Sequence, residues 1–262
     1  MSVVVLGLGI SFLNYVRNEP LRCNKITITS QIVAETFVEV RECLVRSTEP
    51  KKTFVVDQSE GGDGATAMAL AILIHKHHWD VEVIGVCPSS CANWIFPAGK
   101  TKYLHRDSLL LFHGGPYQAN LQEMEKALDQ SLVNGTPAAA VTLGEPNKEG
   151  TVTFTPGPKS KATLEVLRFL SWPEDMSAIE YFDHMRSTSD QLYKELGVNP
   201  LMSIYGQIGA YEPVYKSYKY DGFTYSLESL RRLGIGNIEL AEGKWHPELN
   251  PVWPKVYEVT YP

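Results

Sequence analysis

Three short stretches of the chain carry side chains able to do chemistry: "DQSEGGDGA" at 57–65, "VCPSSCANW" at 86–94 and "LLLFHGG" at 109–115. Ser89 and Ser90 offer hydroxyls, but a serine is a poor nucleophile unless a base in hydrogen-bond reach takes its proton. His113 is the residue type suited to that work near neutral pH. The adjacent Gly61 and Gly62 allow backbone N–H groups to come close to a bound anion or oxyanion. Each feature also has a purely structural reading: a serine before a helix is a common N-cap, a histidine at a strand end can be packing, and paired glycines can be a tight turn. The glycine turn is neither G-x-G-x-x-G nor a P-loop, so it gives little support for a nucleotide.

The elements around these stretches give them a common setting. "KITITSQIVAETFVEVRECLVRS" begins with β-branched alternation and passes into Val33, Phe37, Val38, Val40 and Leu44 at helical spacing. "TFVV" then leads through the glycine turn into a long Ala/Leu/Ile-rich helix, followed by "VEVIGV" read as one strand. "CANWIFPAG" reads as a helix start, and "LLLF" as a strand ending at His113. Strands alternating with helices imply right-handed crossovers and a largely parallel sheet buried on both faces. In such a sheet the C-terminal strand ends share one edge, where sites are usually built. Ser90, the glycine turn and His113 therefore converge.

From about 134 to 163 the periodicity fails and only "TVTFT" reads as a strand. "SWPEDMSAIEYFDHMRSTSDQLYKELG" predicts a helix with Ser171 or a neighbour as N-cap and Gly197 just past its end, and "SLESLRRLG" predicts another. The chain divides into an apolar N-terminal segment (1–24), a core (25–116), an insertion (117–175) and a helical, core-closing portion with a tail (176–262).

Composition narrows the function classes. The chain has 262 residues, 44% hydrophobic and 21% charged, which suits a globular protein with a sizeable core. A net charge of −6 with scattered basic residues leaves no footprint for nucleic acid. "VVVLGLGISFLNYV" is short for a span and interrupted by Gly, Ser and Asn, so no stable membrane span is expected. It reads as a buried strand or cap, with an export signal lacking its basic start as the rival, and the compartment stays open. Cys87 and Cys91 suit either a disulfide or buried thiols. No zinc-finger spacing accompanies them, and His75 and His78 of "HKHHWD" suit a helix C-terminus, so no metal and no cofactor are expected. Lys100 and Lys102 read as solvated, and the tyrosine-rich "YEPVYKSYKYDGFTY" as surface packing or a binding face.

The order and spacing of "ITITSQIVAET", "VVDQSEGGDGATAMALAILI" and "GVCPSSCANWIFPAGKTKYLHRDSLLLFHGG" resemble the Clp-protease and crotonase superfamily, closer to its Clp-type serine peptidases. The likeness covers about residues 25–116 and resumes at about 218–240, where "YDGFTYSLESLRRLGIGN" resembles the segment bearing the acidic triad member. The resemblance implies an α/β spiral of βαβ units with an insertion and a C-terminal helical portion. Counting back nine residues from Gly99 selects Ser90 as nucleophile; His113 matches the catalytic histidine and Asp221 the acid. The backbone N–H groups of Gly62 and Cys91 would form the oxyanion hole. Glu60 stands where the family has proline, Cys91-Ala92 where it has Met-Gly, and the interval from His113 to Asp221 is longer than in Clp subunits. A subset of the superfamily with a cysteine-flanked serine, often exported, is more similar and need not keep the aspartate. The resemblance thus implies a serine hydrolase acting on peptide or protein substrates as a homo-oligomer, through a helix near 119–133. Two other readings fit the same motifs: an acyl-CoA enzyme using the paired amides for a thioester oxyanion, and a catalytically silent scaffold that binds peptides.

Overall fold

The computed structural model describes residues 25–46, 52–117 and 159–262. Strand β1 (Lys25–Ile28) leads to helix α1 (Ala34–Arg46), and β2 (Thr53–Val56) to α2 (Gly64–Lys76). Next come β3 (Asp80–Val83) and β4 (Val86–Pro88), then helix α3, a π-helical turn Cys91–Ile95 continuing as Phe96–Ala98. β5 (Lys102–Leu104) and β6 (Leu109–Leu111) complete the first half. The second half carries α4 (Lys161–Leu170), α5 (Ala178–Leu196), α6 (Glu212–Tyr215), β7 (Gly222–Tyr225), α7 (Leu227–Arg232), β8 (Ile238–Leu240) and β9 (Val256–Val259).

The result is an α/β fold with a parallel main sheet, ordered β1-β2-β3-β5-β8. β4 and β6 form a separate parallel pair, with Cys87 opposite Leu110, and β7 and β9 form another. "VEVIGV" is thus two strands rather than one. The chain changes sheet at Gly85, where a Cβ would lie 2.1 Å from Asp57 O, so only glycine permits the bend. β6 is joined to β7 beyond its end by an antiparallel bridge, Phe112 to Phe223, with both N–H···O bonds at 2.7 Å.

Helix α2 is buried on nearly every side, from Ala65 to Ile74, because its alanines let flanking elements pack close. Asp63 caps it, accepting from Thr66 N at 2.7 Å. On α1, Phe37 and Val40 face the core, whereas Val33 precedes the helix and is exposed, so the apolar stripe is narrower than its spacing implies. The aperiodic region before 163 ends in α4, which sequence reading missed; it packs on α1 and α2, with the Phe37 and Phe169 rings 5.0 Å apart. Ser171 is the left-handed C-cap of α4, not the N-cap of the next helix. That role belongs to Ser177, in a capping box with Glu180, and Gly197 ends α5 as expected. The C-terminal portion is more than helical, since β8 finishes the main sheet. Segment 1–24, "TVTFT" and the helix expected near 119–133 lie outside the described residues.

No helix among the described residues is long and apolar enough to cross a membrane. His78 lies beyond α2 with φ +53°, so it does not share a helical face with His75. No group of His, Cys, Asp and Glu able to hold a metal occurs among the described residues. Lys102 is not solvated: it is buried, donates to Gly99 O at 2.7 Å, and burial pushes its amine down to about 8.

Candidate active site

Ser90 follows β4 and opens α3. Its neighbour Ser89 holds φ +56°, a left-handed conformation that non-glycine residues rarely adopt. Ser89 N donates to Leu111 O at 2.8 Å, anchoring the turn to the strand that leads to His113. The strained residue turns the chain sharply from strand to helix, so that Ser90 stands at the helix start with helical φ and ψ. Ser90 is 2% exposed, and its Oγ has no hydrogen-bond partner among the described residues. A hydroxyl N-cap would have bonded the next turn, and this one makes no such bond. Replacing Ser89 with glycine should relieve the strain and leave stability within about 1 kcal/mol of wild type. Valine there should cost about 1–3 kcal/mol, and thermal melts of the two variants check this.

The π turn has a local cause. Pro97 has no N–H to give Asn93 O, and the helix reaches instead from Phe96 N to Cys91 O. Asn93 O is taken up by Tyr193 OH at 3.0 Å from α5. Trp94 Nε1 donates to Ser189 Oγ at 2.9 Å on the same helix, so α5 holds α3 at two points.

Cys87 and Cys91 form a disulfide with Cα atoms 5.3 Å apart. The two cysteines stand on either side of the turn, one in β4 and one in α3, and are not on one helix; this is why four residues suffice to close the ring. Cys43 is also disulfide-bonded. Replacing both Cys87 and Cys91 with alanine should cost about 2 kcal/mol by chain entropy and lower the Tm by several degrees, measurable by calorimetry.

The glycine turn packs directly against this corner. A Cβ on Gly61 would lie 2.8 Å from Ser89 Cβ, and one on Gly62 would lie 2.3 Å from Ile32 O. Ser59 ties the turn down: its N donates to Val86 O at 3.0 Å, its Oγ donates to Ser30 O at 3.2 Å and accepts from Gly61 N at 3.1 Å. Outside the regular elements neither the Gly62 nor the Cys91 N–H donates to another backbone group among the described residues; Gly62 is exposed and Cys91 buried.

His113 follows the Phe112 bridge at the end of β6, the strand paired with β4. Its residue surface is exposed to solvent, while protein atoms packed around the ring desolvate it in part. Burial pushes its imidazole below the ordinary value, opposed by its own backbone and by the Asp221 carboxylate. Asp221 comes near because it lies two residues before Phe223, the partner of Phe112. No hydrogen bond joins it to His113 among the described residues; instead Asp221 Oδ2 is 3.3 Å from Lys255 Nζ, with its side chain 58% exposed. Asn93 and Gln207, which sequence reading did not single out, hold the carbonyls of Gly114 and His113, both at 2.7 Å. Asn93 was findable, three residues after Ser90 on one helix; Gln207 carries no local signal.

The fold thus brings the serine turn, the glycine turn and the His113 segment to one region, through Ser89 N on Leu111 O, Asn93 Nδ2 on Gly114 O and the close approach of Gly61 to Ser89, while Ser90 Oγ makes no hydrogen bond to His113. Neither models of known protein families nor the curated proteins match the chain.

Proposed function

We propose that the chain is a serine hydrolase cleaving peptide bonds, with Ser90 as nucleophile, His113 as general base and acid, and Asp221 as the charge that favours the imidazolium. The observation that carries this reading is the Ser90 hydroxyl, buried without a hydrogen-bond partner among the described residues at a strained strand-to-helix turn. Proteins seldom leave a buried hydroxyl unbonded without a use for it. On substrate binding Ser90 Oγ attacks the scissile carbonyl carbon while His113 accepts its proton. The oxyanion is received by the N–H groups of Gly62 and Cys91, each donor contributing about 10²–10³ in rate. His113 returns the proton to the leaving amine, and water activated by the same imidazole releases the acyl group. This route needs neither metal nor cofactor. The reading includes membership of the Clp/crotonase superfamily and a homo-oligomeric state, the latter to be checked by light scattering.

The test is exposure of the native protein to a fluorophosphonate, with peptide mapping of the adduct, beside assays on peptide and thioester substrates. Adduct on Ser90 with peptide turnover supports the reading. Thioester turnover that survives Ser90→Ala and His113→Ala would favour the acyl-CoA enzyme, and a folded protein that takes no label would favour the silent scaffold.

A further inference from the structure

After Phe112 the chain leaves its strand, and His113, Gly114 and Gly115 run without a ladder, Gly114 at φ +121°. A histidine followed by two glycines is the least constrained place for a group that must be aimed. Two side-chain amides supply the missing constraint. Gln207 Nε2 donates to His113 O and Asn93 Nδ2 to Gly114 O, each at 2.7 Å. Both residues are 1% exposed. A carbonyl can accept only from the amino end of an amide, so each orientation is set. Their oxygens, Asn93 Oδ1 and Gln207 Oε1, are then buried with no partner among the described residues. Such orphans are uncommon and mark sites where geometry outranks satisfaction.

We propose that Asn93 and Gln207 are positioning residues that set where the His113 imidazole stands relative to Ser90, a role resting on the Ser90–His113 reading of the site. Asn93 shares a helix with Ser90, three residues on, so its bond to Gly114 links the element bearing the hydroxyl to the segment bearing the imidazole. Gln207 reaches in from the C-terminal portion, from a turn whose Gly206 is pressed against Phe223, where a Cβ would lie 2.4 Å from the ring. That turn is therefore rigidly placed on the Phe112–Phe223 bridge. The Asp221 carboxylate, paired with Lys255, reaches His113 through the field and leaves its aim to the backbone. A displacement of about 1 Å in a reacting group costs about 10² in rate, which sets the size of the expected effect.

The experiment compares wild type with Asn93→Ala and Gln207→Ala in two readouts: the rate of fluorophosphonate labelling at Ser90, and the NMR titration of the His113 ring. Asp221, the charged group beside the ring, is kept throughout. Each variant should melt cooperatively, label about 10–100-fold more slowly, and show the His113 midpoint displaced from its wild-type value as the ring moves relative to the protein atoms and the Asp221 charge around it. Labelling within about twofold of wild type with an unchanged titration would overturn the proposal. If wild type takes no label, the hydrolase reading fails, while the ring titration still decides whether the two amides position His113. Should Asn93→Ala not fold, Gln207→Ala, which lies outside the helix of Ser90, carries the decision by the same two outcomes.

Discussion

Ser90→Ala should abolish fluorophosphonate labelling while leaving stability within about 1 kcal/mol of wild type, because the deleted hydroxyl makes no hydrogen bond among the described residues. Burial of an unpaired hydroxyl is a cost to the fold, so its removal is neutral or mildly favourable. His113→Ala should slow labelling about 10²–10⁴-fold, the usual share of general base catalysis. Intact-mass kinetics with a parallel thermal melt measure both. The pH profile carries a further sign. The folded imidazole binds its proton less readily than an unfolded one, whose value is 6.5, so the neutral base persists below 6.5 and the acid limb of labelling should have its midpoint beneath that value. His113 likewise contributes its full stability above 6.5 and loses it as pH falls through the folded value. Asp221→Asn removes an influence that raises the imidazole and should move the limb lower still. A limb at or above 6.5, or Ser90→Ala still taking label, would assign the chemistry to another residue.

Gly62→Ala should destabilise the protein and, on the proposed mechanism, displace one of the two oxyanion donors. The glycine holds φ +144°, and a Cβ would stand 2.3 Å from Ile32 O and 2.7 Å from Ile32 N, against backbone that cannot yield as a side-chain end could. Ile32 is itself locked to the turn, its N donating to Gly61 O at 2.7 Å and its O accepting from Asp63 N at 2.9 Å. Moving the turn therefore breaks these two bonds, which tie the Ile32 segment to the residue capping α2, and shifts the Gly62 N–H from its proposed place in the oxyanion hole. A cost of about 2–4 kcal/mol is expected, with a further loss of about 10²–10³ in turnover for the displaced donor. Gly197→Ala is the control: it shares a positive φ, +68°, but a Cβ there meets nothing within 4 Å. It should cost about 1 kcal/mol and leave turnover unchanged. Equal melting temperatures for the two variants would show that Gly62 is needed for its φ alone and not for close approach.

The alternation of short β-branched strands with apolar helices made the parallel α/β layout legible, since burial on both faces demands those runs. The position of Gly197 beyond α5 was likewise written locally, because a left-handed helix end calls for glycine. Elsewhere local signals competed: Ser171 and Ser177 both suit a helix start, and only the chain's path made the first a left-handed end and the second a cap. Helix α4 escaped notice because its stripe faces α1 and α2, partners remote in sequence.

Residue types and order by themselves determined the candidate chemistry: a serine after one strand, a histidine after another, and a glycine pair before a helix, all local matters of turn and strand end. Tertiary structure alone decided what surrounds them. It bonded Cys87 to Cys91 across the turn, turned Asp221 toward Lys255, and brought Gln207 to the carbonyl of a residue 94 positions away. Those contacts depend on how separate sheets meet at Gly85 and at the Phe112–Phe223 bridge, and pairing between distant segments is set by the packing of the whole core, which no local pattern encodes.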